Sequence, residues 1–183
     1  MKKTPSAMLS ILLFAATCPA SHAGSWNKPT PNEAFSKGDY QTALRGFTDR
    51  AMLGEDAAQD NVGMMYAQAL GTERDVAKAA SWYRKAAEQG YAQGQRHLAG
   101  LMMTGEGVEQ DIPGAIRLYQ KAVDQGLASA QRDLGSLYEA GNGVTQDNQK
   151  ALELFTLAAN QGDAFAQERV AALSRKAGLP ARP

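Results

Sequence analysis

The chain has 183 residues, of which 19 are basic and 19 acidic, so its formal net charge is zero. This balance lacks the basic excess with which nucleic-acid-binding proteins neutralise phosphates, and we expect no nucleic-acid partner. Hydrophobic residues make up 44% of the chain, enough at this length for one domain with a buried core. Cys18 is the single cysteine, which excludes a disulfide within the chain.

Residues 1–23 have the pattern of a secretory signal peptide. Lys2 and Lys3 precede an apolar stretch over 7–17, and Ala23 ends a Ser-His-Ala motif that a signal peptidase accepts. The stretch is shorter than the roughly 20 apolar residues that a membrane-spanning helix needs. We therefore predict cleavage near Ala23, a periplasmic or secreted protein of a Gram-negative bacterium, and no membrane insertion after cleavage.

A lipoprotein is the alternative interpretation of the same segment, with the cut before Cys18. The preceding Ala15-Ala16-Thr17 lacks both the aliphatic residue and the final small residue that lipoprotein signals carry, so we favour the first interpretation. Removal of 1–23 would also remove the cysteine. The remaining chain would then be stabilised by packing alone in an oxidising compartment.

Residues 24–31 are predicted to form an extended leader, because Pro29 and Pro31 favour polyproline II. Trp26 in this leader could anchor a partner or fold back on the first helix pair, and we favour the second. Residues 32–54 are predicted to form a helix pair, and their Lys37-Gly38-Asp39-Tyr40 and Ala43-Leu44 resemble a tetratricopeptide-type hairpin with a shorter turn.

From residue 39 onward, many positions recur with a step of 36 residues. Such a fixed period indicates stacked copies of one supersecondary unit that share a continuous core. We predict units at 55–90, 91–126 and 127–162. The recurring columns are Asp39/Asp75/Asp111/Asp147, Gly54/Gly90/Gly126/Gly162, Ala43/Ala79/Ala115/Ala151, Phe47/Tyr83/Tyr119/Phe155 and Gln59/Gln95/Gln131/Gln167.

Each unit is predicted to be a helix A, a tight turn and a helix B. In the third unit, helix A is expected over 128–139, the turn at 141–143 and helix B over 147–161. The recurring Asp should cap the start of helix B, and the recurring Gly should follow its end. In the first unit Ala69 and Thr72 replace the turn Gly and the Val after it, so we expect that helix A to run longer.

Residues 163–177 are predicted to be a last helix A that caps the stack, followed by a tail at 178–183. Ala166, Val170 and Leu173 lie at helical spacing on its inner face. The predicted fold class is therefore all-α, a right-handed α-solenoid of stacked antiparallel helix pairs.

These motifs resemble the Sel-one-like repeat, a bacterial relative of the tetratricopeptide repeat. The second unit departs from the pattern at Gly94, Ala99 and Met102. The resemblance implies a tetratricopeptide-like superhelix and a role as adaptor or scaffold in signalling and envelope assembly. The third unit carries the pattern most fully, with Ala130, Leu134-Gly135, Tyr138, Gly141-x-Gly143-Val144, Asp147, Lys150-Ala151, Phe155 and Ala158-Ala159.

We expect no enzyme, metal or cofactor. His97, the one histidine outside the predicted signal, could act as a general base or as a metal ligand beside Asp133. A metal site needs more ligands than these two, and a general base needs a matched partner. The glycine pairs at 105–107 and 141–143 lie between helices, so they predict turns and not phosphate-binding loops.

The candidate binding surface is the row of A helices, which we expect to line the concave side of the superhelix. Core-facing columns should be alike between units, whereas ligand-facing columns are free to differ. For Met64 and Met103, core packing and contact with a partner are equally open. We expect the protein to be a monomer that binds a protein or peptide partner of the cell envelope. The residues expected to bind this partner are Asp60, Asn61, Met64, Arg96, His97, Met103, Arg132, Asp133, Ser136 and Arg169.

Two other functions remain open at this point. Some exported, cysteine-rich members of the resembled family are described as binding or hydrolysing β-lactams, but this chain lacks their paired cysteines. The other alternative is a cell-wall-associated spacer without a tight partner.

Overall fold

The computed structural model describes residues 28–177, and every regular element in that range is helical. The predicted signal peptide, Cys18, Trp26 and the 178–183 tail lie outside the described residues. The nine helices of the described range are α1 (Pro31–Ser36), α2 (Tyr40–Met52), α3 (Asp56–Ala67), α4 (Val76–Glu88), α5 (Ala92–Thr104), α6 (Ile112–Asp124), α7 (Ala128–Ala140), α8 (Asn148–Ala159) and α9 (Ala164–Lys176).

Each helix packs against the helix before it and the helix after it, so the pairs stack into a solenoid. The A helices are α3, α5, α7 and α9, and the B helices are α2, α4, α6 and α8. The short α1 occupies the A position of the first pair, and α9 closes the stack without a following B helix in the described range. The predicted all-α solenoid of helix pairs is confirmed.

Helix B begins where the recurring aspartate caps it. Asp75 Oδ1 accepts the backbone N–H of Lys78 at 2.9 Å, and Asp39, Asp111 and Asp147 cap their own helices in the same way. This hydrogen bond lowers the pKa of Asp75 below its ordinary value. The glycine after each B helix has a positive φ, as at Gly90 with 91°. Both predicted helix signals are confirmed.

The turn between helix A and helix B packs on the start of the preceding helix B. Gly107 has φ 69°, and a Cβ built there would lie 2.6 Å from the backbone carbon of Val76. A Cβ built on Gly71 would likewise collide with the carbonyl group of Tyr40. Only a residue without a side chain allows this approach, so the turn glycines fix the spacing between units.

Two predicted boundaries are wrong. Helix α3 ends at Ala67 and is shorter than α5 and α7, because Ala69 adopts the left-handed backbone, with φ 58°, in place of the usual glycine. Pro31, assigned to the extended leader, is the first residue of α1. Thr30 caps that helix in a reciprocal box with Glu33, and proline is well tolerated at this position.

The core is a column of aromatic rings surrounded by small residues. Phe47, Tyr83, Tyr119 and Phe155 are all buried. A Cβ on Gly63 would lie 2.7 Å from the Tyr83 ring, so this helix A comes closer to its neighbour than any side chain at that position would permit. Because every unit contributes one ring, the core continues through the whole stack.

Buried glutamines form a second column beside the rings. Gln89 donates a hydrogen bond from Nε2 to Oε1 of the buried Gln59 at 2.7 Å, and the two later units repeat this bond at 2.8 and 2.9 Å. Gln59 in turn donates to the Ala51 carbonyl of the preceding helix B. The amides therefore satisfy one another where water is excluded.

Candidate interaction surface on the helix A row

Charged side chains connect each A helix to the next. We call this set the A-row ladder, and its rungs are Asp60–His97, Arg96–Asp133, Arg132–Asp163 and Arg169–Glu139. The columns predicted to vary between units thus contain side chains that bind each other across the unit junctions. The ladder runs from α3 to α9.

The first rung joins α3 to α5. His97 Nδ1 lies 2.7 Å from Asp60 Oδ1, and the imidazole packs on the Tyr83 ring with 4.8 Å between ring centroids. Asp60, predicted to be a partner-binding residue, is only 7% exposed and offers little surface for direct contact with a partner. A buried carboxylate requires a hydrogen-bonding partner, which His97 supplies. Burial, together with the Asp60 charge, raises the pKa of Tyr83 well above its ordinary value.

The second rung joins α5 to α7. Arg96 Nε donates to Asp133 Oδ2 at 2.7 Å. The other oxygen of that carboxylate accepts from Arg132 at 3.1 Å, within α7 itself. Asp133 therefore lies between two guanidinium groups and not beside His97, whose partner is Asp60. This arrangement gives no support to a metal site built from His97 and Asp133.

The third junction uses a different pattern. Arg132 donates to Asp163 at 3.0 Å, and Arg169 of α9 pairs with Glu139 of α7 through two hydrogen bonds, one of them 3.0 Å long. Asp163 also caps α9 by accepting the Ala166 N–H at 2.8 Å. Burial acts to lower the pKa of Arg132, but the carboxylates of Asp133 and Asp163 together outweigh it, and the pKa is raised.

Four predicted site residues lie outside the ladder. Asn61 and Ser136 are half-buried on α3 and α7, and Ser136 donates its hydroxyl to the Arg132 carbonyl. Met64 packs against two neighbouring core clusters and Met103 against a third, and both keep some exposure. For the two methionines the structure thus supports core packing, with part of each side chain left at the surface.

Sequence reasoning missed Glu139 and Asp163, although a signal for the ladder was available. The first two rungs join residues 37 apart, one repeat plus one position. Asp60 with His97 and Arg96 with Asp133 satisfy this spacing with an acidic residue opposite a basic one. Arg132 and Arg169 satisfy it with like charges, so each takes another partner. A search for opposite charges at this offset would have found two rungs of the four.

Within residues 28–177, no group of three or more His, Cys, Asp or Glu side chains is placed to hold a metal ion. None of the helices described is both long enough and apolar enough to cross a bilayer.

Stacked 36-residue helix pairs define the class as an α-solenoid of the tetratricopeptide type. Three consecutive matches to the Sel1 repeat cover residues 56–91, 92–127 and 128–163. These matches span more than half of the chain, which therefore belongs to the Sel1 repeat family. Their limits lie one residue later than the unit boundaries we predicted.

Solved structures of the family have the same fold. A Sel1 repeat protein from Oxalobacter formigenes is 29% identical with a TM-score of 0.72, covering 82% of this chain and 62% of its own. The c5321 protein, a protective antigen of uropathogenic Escherichia coli with an SLR fold, is 38% identical with a TM-score of 0.69. That match covers 74% of this chain and 29% of c5321.

A third structure shares the fold alone. Helicobacter pylori cysteine rich protein B is 23% identical with a TM-score of 0.55, over 70% of this chain and 92% of its own. No curated protein matches the chain. The chain spans less than two thirds of the length of the first two solved relatives. Its solenoid fold is typical of protein-interaction modules.

Proposed function

We propose that this protein is an exported, non-enzymatic interaction module that binds a protein or an extended peptide segment across the helix A row. The observation that carries this proposal is the A-row ladder. It joins four successive A helices into one polar face whose side chains are already held in place. A face organised in advance loses little side-chain entropy when a partner binds.

The exposure of the ladder suits such a role. The side chains of Arg96, His97 and Arg132 are 24, 28 and 30% exposed. Each is therefore held by its carboxylate partner and can still be contacted from solvent. Arginine is enriched in protein interfaces and its unused N–H groups can donate to a partner's carbonyl oxygens. In a superhelix of helix pairs this row lines the inner side, where an extended segment can contact several units at once.

The ladder changes which variants can test the proposal. Reversing the charge of Arg96 or Arg132 would place a carboxylate against Asp133 and lower stability as well as binding. Asn61→Arg with Ser136→Arg is a better choice, because both residues lie beside the ladder and arginine is a good helix former. Ser81→Arg with Gln149→Arg, at exposed positions of B helices, is the matched control with the same added charge.

The experiment is cross-linking in the intact cell envelope followed by mass spectrometry. The unsubstituted protein should give cross-links from the A row to a defined protein. The A-row variant should lose them at an unchanged melting temperature, and the B-helix variant should keep them. Retention of peptidoglycan without any defined protein would instead favour the cell-wall spacer and overturn the proposal.

Export and the absence of catalysis have their own tests. Amino-terminal sequencing of protein from the periplasmic fraction should begin near Gly24. A chromogenic cephalosporin should not be hydrolysed. Turnover that is measurable and is lost in His97→Ala would contradict the non-enzymatic assignment.

A further inference from the structure

Gly100 lies inside α5 at a position where packing does not require a glycine. Six glycines of residues 28–177 lie inside helices, and for five of them a Cβ would come to 3.1 Å or less from a neighbouring group. A Cβ on Gly100 would meet only the Tyr119 hydroxyl, at the ordinary contact distance of 3.5 Å. Glycine in a helix interior is less stable than alanine, and close packing of α5 does not explain its presence at this position.

The hydroxyl beside Gly100 belongs to a ring that is otherwise packed in the core. Tyr119 is 7% exposed, and its oxygen has no hydrogen-bond partner within residues 28–177. In that range Ser129 Oγ is the one side-chain atom that is both fully buried and unbonded, so the Tyr119 oxygen remains open to solvent. Burial, with the Asp133 charge, raises the pKa of Tyr119 to about 12. The hydroxyl therefore keeps its proton at neutral pH and can donate it to a hydrogen bond.

The first and third units differ from the second at this position. The repeat period places Met64 and Ser136 where the second unit has Gly100. Met64 packs against the core cluster that contains Tyr83, and the ring of the third unit, Phe155, has no hydroxyl. Among the three Sel1 repeats of the chain, the second alone combines an aromatic hydroxyl with a helix A position that lacks a side chain.

A second donor lies on the same face of α5. Arg96 precedes Gly100 by four residues, which is about one helical turn. Its Nε donates to Asp133, whereas its two terminal nitrogens make no hydrogen bond within residues 28–177. Asp133 also accepts from Arg132, so the charge of Arg96 is already paired. The site thus offers O–H and N–H donors next to a carboxylate, which suits a neutral acceptor better than an anion.

We propose that the helix A row binds an extended segment of the protein partner by its main chain at Gly100. A peptide carbonyl oxygen of that segment accepts hydrogen bonds from the Tyr119 hydroxyl and from the Arg96 guanidinium. A helix position without a side chain lets the backbone of the partner come close enough to reach the hydroxyl. The contact depends on a peptide group and not on a particular side chain, so it fixes where the segment crosses α5. The inference rests on the proposed function, since it specifies how the partner segment is bound.

The test is an NMR titration of the full chain with its tyrosines carrying ¹³C at the ring carbon that bears the hydroxyl. The probe is a capped peptide of alternating alanine and proline, which is extended and uncharged. We expect it to shift the Tyr119 Cζ signal and the backbone amides of 96–104. Sodium acetate at the same concentration should give smaller shifts, because the Asp133 carboxylate repels it.

Two substitutions separate peptide binding from stability. Gly100→Ala places a methyl group over the hydroxyl and should weaken peptide binding by at least about twofold, while alanine raises the melting temperature by about 2–4 °C. Tyr119→Phe keeps the ring and removes the donor, and it should weaken binding by about two- to tenfold. Both changes together should weaken binding no more than the stronger one alone. Ser81→Ala, at an exposed position of α4, is the control that should leave peptide binding unchanged.

The inference fails if the peptide leaves the Tyr119 signal unshifted, if Gly100→Ala binds the peptide as the unsubstituted chain does, or if acetate gives the larger shifts. These outcomes leave the cross-linking test unaffected, because Asn61→Arg with Ser136→Arg reports on the helix A row as a whole. The expected peptide shifts, found without any partner cross-linked in the envelope, would contradict the proposed function while supporting the peptide contact at Gly100.

Discussion

The aromatic column of the core and the A-row ladder both join the units, but by opposite means. The core repeats nearly the same ring in every copy at Phe47, Tyr83, Tyr119 and Phe155. The ladder uses a histidine–aspartate rung, an arginine–aspartate rung and a third junction with different spacing. Uniform packing allows any unit to stack on any other, whereas the ladder makes each junction specific to its two neighbours.

The largest effect should come from breaking the aromatic column. Tyr119→Ala removes a buried ring between two layers and should lower the free energy of unfolding by about 3–5 kcal/mol. Urea denaturation followed by circular dichroism measures this loss. Tyr119→Phe keeps the ring and is the control. A loss below about 1 kcal/mol for the alanine variant would show that the layers close over the gap.

A buried rung should matter more than an exposed pair. His97→Ala leaves the Asp60 carboxylate buried without its partner, and we expect a cost of about 1–3 kcal/mol. A double-mutant cycle with Asp60→Asn measures the coupling between the two residues by denaturation. The comparison is the Arg74–Glu106 pair, whose side chains are 58 and 49% exposed and whose coupling should be about 0–1 kcal/mol. Equal couplings would contradict the special role of the buried rung.

The turn glycines allow a test of the unit spacing. Gly107→Ala forces a side chain against the Val76 backbone and also strains a positive φ, so a cost of about 1–3 kcal/mol is expected. Gly126→Ala has a similar φ of 81° and open space around the added Cβ, and it should cost about 1 kcal/mol or less. Thermal denaturation ranks the two variants. The reverse order would mean that the close approach does not set the spacing.

The smallest effect should be a loss of stability in alkali. Burial, with the nearby Asp133 charge, raises the pKa of Tyr119 from 10.0 to about 12. The folded chain then holds a proton that the unfolded chain releases above pH 10, so stability falls as the pH rises from 10 towards 12. At pH 11 this tyrosine should account for about 1 kcal/mol. Denaturation of Tyr119→Phe should show a smaller decrease between pH 8 and 11 than the unsubstituted chain, and equal decreases would contradict the assignment.

The fold was predictable because its signals are local and repeated. The aspartate caps, the glycines after helix B and the aromatic column each recur in four copies, and every copy supports the same interpretation. The end of α3 was predicted wrongly because Ala69 takes a backbone conformation usually reserved for glycine. The close approach of Gly71 to Tyr40 fixes the geometry of this turn, and that geometry overrides the preference of Ala69 for a negative φ. A single sequence does not show this.

The surface was harder to predict than the fold. Its columns were identified correctly as lying on the A helices, but the pairing of their side chains was not. Whether Asp60 is buried depends on His97 in the next unit, and no property of either residue alone reveals it.

The glutamine amides of the core determine how the solenoid responds to salt and to mild acid. Gln59, Gln95 and Gln131 are tied by neutral amide–amide bonds, which neither dissolved salt nor mild acid disrupts. The arginine–carboxylate rungs of the A row are charged and partly exposed, so they weaken as ionic strength rises. At high ionic strength the side chains of the A row should therefore become less ordered, while the helix pairs stay packed in the same register. Affinity for a partner can then vary with the salt concentration without any unfolding.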